Sequence, residues 1–246
     1  IKMFDVNIIV LLFLLMILQS MIGVGVLLIG TPLMLILNFS IVEVLTILLP
    51  ISILTSLFNL IYFQFNKKKL NITISKSVKI NFFFICIPFI FLGLFFLNIF
   101  NEQLNFKLLV SATILTSIVI NVRHNYTYRL SDYTKKYILA IIGLIHGLTN
   151  AGGSLLSIFI TSQSNKNNAR YNITYFYLFL ALIQFVMFLF IFEIKINYLL
   201  KESYFILIAL IAVIMGNLLT KIVNEHYFKI LINLICILTC LILVIF

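Results

Sequence analysis

The chain has 246 residues, 63% of them hydrophobic and only 10% charged, with a formal net charge of +10 and a mean hydropathy of +1.21. A water-soluble domain of this size covers itself with more polar surface, so soluble enzymes and soluble binding modules are excluded. The positive charge falls in short stretches between apolar runs, the pattern of membrane orientation and not of nucleic-acid binding.

Apolar runs occupy about 8–37, 41–63, 80–100, 104–122, 137–160, 172–192, 203–220 and 227–246. A bilayer-spanning helix needs roughly 20 such residues. The runs are continuous instead of alternating with period two, which argues against barrel strands. The expected fold is an all-α integral membrane protein of about eight transmembrane segments. Lys2 precedes the first run, but no small-x-small cleavage site follows, so a cleaved leader is not expected.

The first run is interrupted by "QSMIGVGVLLIGTP", Gln19 to Pro32, which holds Gly23, Gly25 and Gly30. The second run carries Thr46, Ser52, Thr55, Ser56 and Asn59 around Pro50. These polar groups line a pathway or bond back to their own helix. Pro50, and Pro88 in the third run, are expected to kink their helices. Lys67, Lys68, Lys69, Lys76 and Lys79 follow the second run, and Arg123, Arg129, Lys135 and Lys136 follow the fourth. Both basic loops, 64–79 and 121–136, are therefore assigned to the cytoplasmic side of the cell (inner) membrane.

The fifth run holds "GLIHGLTNAGGSLLS", Gly143 to Ser157, with His146 just before Asn150, Gly152, Gly153 and Ser154. An ionisable group inside an apolar segment is a functional hypothesis by default, as a substrate contact or proton carrier. The bland alternative is a neutral imidazole bonded to a neighbouring helix. Arg170 stands just before the sixth run, suited to drawing in anions or to snorkelling towards headgroups, and Gln184 is a weaker polar candidate within that run. Cys86, Cys236 and Cys240 lie in apolar spans with no His or carboxylate spaced for metal, and read as small hydrophobes. Trp is absent, while Tyr62, Tyr137, Tyr198, Tyr204 and Tyr227 near segment ends fit an interfacial belt.

Seven of the nine glycines fall within the two interrupting motifs. A shift of 127 positions sets Gln19 on His146, Gly23 on Asn150 and Gly25 on Gly152. The expected organisation is a first four-segment repeat (1–122), a basic linker (123–136) and a second repeat (137–246), the first segment of each broken at its glycine motif. Matched interruptions in two halves point to a transporter binding site. A break inside the bilayer frees backbone groups that survive only under protein or in a wet cavity. The restarted helix aims free N–H groups and a positive dipole end into that cavity. Ser154 or Asn150 is placed to cap such a start, and Pro32 suits a first-turn position. The competing reading is that these glycines only allow close helix packing. Whether 8–37 and 137–160 cross fully or re-enter as hairpins stays open.

"GVGVLLIGTP" and "GLIHGLTNAGGSLLS" resemble the duplicated G-x-G-G-G-x-x-x-x-P signature of the TauE/SafE sulfite-exporter-like permeases. Val26 and Leu27 replace two motif glycines in the first copy, and Ser154 and Phe159 replace a glycine and the proline in the second. The resemblance implies movement of a small anion, mostly a sulfur-containing one such as sulfite or a sulfonate. The resulting expectation is a permease working by alternating access, with no covalent chemistry and no cofactor, coupled to protons or sodium. Its site would be the amides around Gly23, Gly25, Asn150, Gly152, Gly153 and Ser154, with Gln19, Pro32, His146 and Arg170. The rivals are a membrane-embedded enzyme using His146 as base, and a non-transporting assembly subunit. Asp132 is the sole acid between Glu102 and Glu193, so the usual catalytic clusters are missing.

Overall fold

A computed structural model describes residues 6–66, 72–74, 76–100, 103, 105, 106, 108–112, 115, 131–161, 164–193 and 204–245. Most of the run expected at 104–122 lies outside them, with Lys67, Lys68, Lys69, Arg123, Arg129, Tyr198 and the side chains of Cys236 and Cys240. Among the described residues the secondary structure is helical, without strands. The helices are α1 (Val6–Ile22), α2 (Val26–Ile36), α3 (Ile41–Phe65), α4 (Lys76–Phe100), α5 (Asp132–Thr149), α6 (Gly153–Thr161), α7 (Lys166–Ile191), α8 (Tyr204–Ile222) and α9 (Glu225–Ile245).

Four of these, α3, α4, α7 and α8, are long and apolar enough to cross a membrane. Their outward faces carry Phe91, Phe95, Leu207, Ile211, Ile214 and Leu218, all exposed. A soluble protein does not leave such surface bare, and lipid covers it.

Local chemistry explains several boundaries. Ser40 caps α3: its hydroxyl accepts from the Glu43 amide (3.3 Å) while the Glu43 carboxylate accepts from the Ser40 amide (2.8 Å). That reciprocal pair satisfies two otherwise orphaned donors. Asn38 turns the chain between α2 and α3 with φ 62°, a left-handed angle that Asn tolerates. In α4 the ring of Pro88 presses on the turn before it, and residues Phe82–Cys86 open into a π turn.

The short helices fold back on their predecessors. Gly25 lies against the backbone of Gln19 and Leu15, and Gly30 against the Leu15 side chain, so α2 runs antiparallel to α1. Likewise Gly152 lies against His146 and the Ile142 carbonyl, turning the chain back at the end of α5. Two close parallel pairs brace these elements. Gly143 abuts Cys86 and Phe89, Gly147 abuts Ile90 and Leu94, and Gly93 abuts Leu144 and Leu148, so α4 and α5 rise together. A Cβ at any of the three glycines would strike the backbone of the facing helix. Close packing is thus what Gly143 and Gly147 do. In the second pair, Gly216 of α8 abuts Ile17 and Ser20 of α1, and Thr220 reaches the Met21 carbonyl (3.4 Å). Between the pairs α3 and α7 cross antiparallel, with Phe63 and Tyr171 edge to face at 5.6 Å.

Candidate functional site

The interruption between α1 and α2 begins at Gly23, whose φ of 100° is closed to most side chains and whose amide donates to the Gln19 carbonyl (2.7 Å). Gln19 is fully buried and holds both sides of the break together. Its Oε1 accepts from the Val26 amide at the start of α2 (3.1 Å), and its Nε2 donates to the Ser52 carbonyl (2.9 Å) and the Ser56 hydroxyl (2.9 Å). Gln19, reaching across from the end of α1, therefore caps the start of α2 in place of the residue at the N-cap position, Gly25. Pro32 does not occupy the first turn as expected. Because Gln19 sets the helix start at Val26, Pro32 falls in the α2 interior, where it leaves the Leu28 carbonyl without its usual amide donor.

At the second interruption Asn150 takes a left-handed conformation (φ 62°), and its amide donates to the His146 carbonyl (2.9 Å). It ends α5 and does not cap α6 as expected; its Nδ2 donates instead to Thr31 Oγ1 of α2 (2.9 Å). The Ser154 hydroxyl likewise turns back, donating to the Ala151 carbonyl (2.9 Å). Among the described residues neither side chain accepts from an amide of the new helix, although Asn150 Oδ1 is free to accept. Among the described residues the Gly153 and Leu155 amides at the start of α6 find no acceptor.

Polar atoms without partners gather at these two helix starts. His146 is fully buried, and neither ring nitrogen has a hydrogen-bond partner. Asn150 Oδ1, Gln184 Oε1 and the Tyr177 hydroxyl are also buried and unmatched. Gln184 Nε2 donates to the His146 carbonyl (3.1 Å), which brings α7 to the end of α5. Tyr177 links the two starts: its ring sits against Gly153 and 6.3 Å from the His146 ring, and its hydroxyl lies beside the Gly25, Leu27 and Leu28 amides outside hydrogen-bond geometry. Leaving one buried polar group unpaired costs on the order of 1–3 kcal/mol, so a cluster of them marks a place meant for a solute or water.

The expected pathway residues of α3 divide. Thr46 and Thr55 donate to their own helix, to Val42 and Ile51. Ser52 and Ser56 hold Gln19, and Asn59 Oδ1 accepts from Ser20 Oγ (2.9 Å) and Asn217 Nδ2 (2.9 Å). Arg170 lies apart from the His146 group, at the end of α1. Its Nε donates to the Met21 carbonyl (2.7 Å) and its Nη2 to the Ser20 carbonyl (2.8 Å) and Asn217 Oδ1 (3.0 Å). A cation there satisfies the free carbonyls and opposes the negative dipole end of α1.

Tyr177 is the residue the sequence reading missed. Its signal is a hydroxyl carried in mid-span, away from the interface where Tyr62, Tyr137, Tyr198, Tyr204 and Tyr227 are expected. Taken together, two helix N-termini face a group of neutral side chains with spare donors and acceptors, and no carboxylate stands among those named. The free Gly153 and Leu155 amides, the Tyr177 hydroxyl and the His146 ring can donate to an anion that has shed part of its water. Asn150 Oδ1 and Gln184 Oε1 can only accept, from water or from a protonated oxygen of the solute.

A family model described as "Sulfite exporter TauE/SafE" matches residues 8–243. No curated protein and no solved structure matches the chain.

Proposed function

The chain belongs to the sulfite exporter TauE/SafE family, a family of membrane transporters, and on that premise we propose that it is a permease for a small sulfur-containing anion such as sulfite or a sulfonate. The anion is held between the starts of α2 and α6 and released alternately to the two sides. The observation that carries this reading is the meeting of the two helix starts, where the Gly153 and Leu155 amides lack an acceptor among the described residues, with the buried, unmatched His146 ring and Tyr177 hydroxyl.

In this reading the chain is two units, 1–122 and 137–246, joined by the basic linker 123–136. Adding 127 to a residue number relates their local geometry. Gly25 against Gln19 and Leu15 becomes Gly152 against His146 and Ile142, and the Gly23–Gln19 backbone bond becomes that of Asn150 and His146. The cross-pairs exchange too, since Ser20 beside Asn217 corresponds to Gly147 against Ile90. Each hairpin enters from one face and returns to it, and the two enter from opposite faces. The antiparallel course of α1–α2 and the parallel pairing of α5 with α4 support that topology. His146 is the proposed proton carrier of the cycle.

Purified protein in liposomes, offered labelled sulfite, sulfoacetate and thiosulfate, tests the reading. Saturable flux of one of them, abolished in Gln19→Leu, is expected. Folded protein that carries none of the three overturns it. The same vesicles, with sodium present or absent and with a proton gradient imposed, identify the coupling ion.

A further inference from the structure

A second polar place lies beyond the helix starts. A cavity of about 310 Å³ opens where the ends of α3 and α8 meet the first turn of α7, and its lining includes Lys166, Arg170 and Lys221 with Tyr62, Asn66 and Asn167. We propose that this cationic vestibule is a capture site for small oxyanions, separate from the site between the α2 and α6 starts. It deepens the permease reading, on which its role in transport rests.

The charge balance is lopsided. Three basic side chains line the cavity, and no acidic one does among the described residues. Arg170 is only 4% exposed, yet none of its three hydrogen-bond partners carries a full charge, and no carboxylate pairs with it among the described residues. Those bonds use Nε and Nη2, so the two N–H groups of Nη1 are left without an acceptor among the described residues. Its guanidinium stacks over Phe63 at 5.1 Å, which fixes the plane of the fork. Lys166 is close enough to be repelled by Arg170, and Glu225 offsets this only in part from the next helix. Lys166 itself is anchored, donating to the Thr220 carbonyl (2.7 Å) and to the Val223 carbonyl. Two fixed cations that repel across a cavity are stabilised by an anion between them, and Arg offers such an anion a planar pair of donors. The volume holds a sulfite-sized ion with several waters at about 30 Å³ each.

Position supports capture. The vestibule lies where Asn66 ends α3, and in the sequence Lys67, Lys68 and Lys69 follow that residue. Same-sign charge around a low-dielectric cleft raises the local concentration of counter-ions. Arg170 joins this place to the first interruption, because its guanidinium holds the last carbonyls of α1 while its own carbonyl lies beside Gly23.

Two variants test the site without removing an anchored residue: Asn167→Asp, nearly isosteric and half-buried, and Lys221→Gln, at an exposed position. In liposomes each is expected to raise the KM for sulfite by roughly two- to tenfold with kcat unchanged, and to flatten the dependence of KM on ionic strength. An unchanged KM in both variants, with melting points equal to the parent, overturns the proposal. If the parent protein carries no anion, the permease reading falls while the vestibule is still decided by titrating sulfite into the protein in phosphatidylcholine nanodiscs. Saturable binding weakened by both variants upholds it, and absent or unaltered binding overturns it. A parallel titration in discs containing phosphatidylglycerol separates the free ion from a lipid headgroup. If sulfite fails to bind and the variants lose only enrichment of the anionic lipid, the site is a headgroup site and the proposal is wrong.

Discussion

Gly25 shows how little slack the first interruption has. A Cβ there would lie 2.7 Å from the Gln19 amide nitrogen and 3.1 Å from the Leu15 carbonyl, backbone atoms that cannot swing away. Gly25→Ala is therefore expected to cost about 1–3 kcal/mol, read as a lower melting point in detergent, and to lower flux by displacing the start of α2. At His146 the expected effect is on transport, since its nitrogens bond to nothing that the fold needs. His146→Gln, which keeps most of the buried volume, should unfold within a few degrees of the parent and abolish any variation of flux between pH 5 and 8. An unaltered pH profile would remove His146 from the proton path. Gln19 and His146 were legible in the sequence because a polar side chain in an apolar run needs a reason. Tyr177 was not, because tyrosine is common in membrane helices and only its neighbours, Gly153 and the α2 amides, single it out.

Among the helices, the α4–α5 pair is the closest contact that glycine alone permits. Gly147→Leu would drive a side chain into the Ile90 carbonyl, so it is expected to destabilise the protein by at least about 3 kcal/mol, or to prevent folding, as judged by size-exclusion profile and thermal melt. Gly147→Ala should be milder in the same assays. Helical class and apolar helices were readable from run length, and the family from the glycine motifs. The course of the chain within 8–37 and 137–160 was not, because hydropathy carries no sign of direction: a hairpin and a straight crossing of equal polarity look alike. Helix starts resisted reading for a related reason. Capping was assigned to Ser154 or Asn150, whereas Gln19 reaches Val26 from the preceding helix, a contact that only the fold-back creates.

For the molecule as a whole, the proposed topology places residue 38 on the face opposite residues 66 and 221. In a background lacking Cys86, Cys236 and Cys240, an impermeant thiol reagent added to one side of sealed vesicles should label Asn7→Cys and Asn38→Cys together. Asn66→Cys and Lys221→Cys should be labelled together from the other side. Labelling of positions 7 and 38 from different sides would show that 8–37 crosses the membrane and would remove the hairpin. Helices α4 and α5 run parallel, so Lys76 and Asp132 lie at the same end.

The partnership of α1 with α8 sets a timetable for biosynthesis. The ribosome delivers Ser20 and Met21 first, yet Arg170 and Asn217, which cover them, emerge some 150 residues later or more. Until then the α1–α2 hairpin waits in the translocon or the bilayer with its carbonyls bare, a natural client for an insertase or chaperone. Two separately expressed fragments, cut within the linker, should accordingly survive only when made in the same cell.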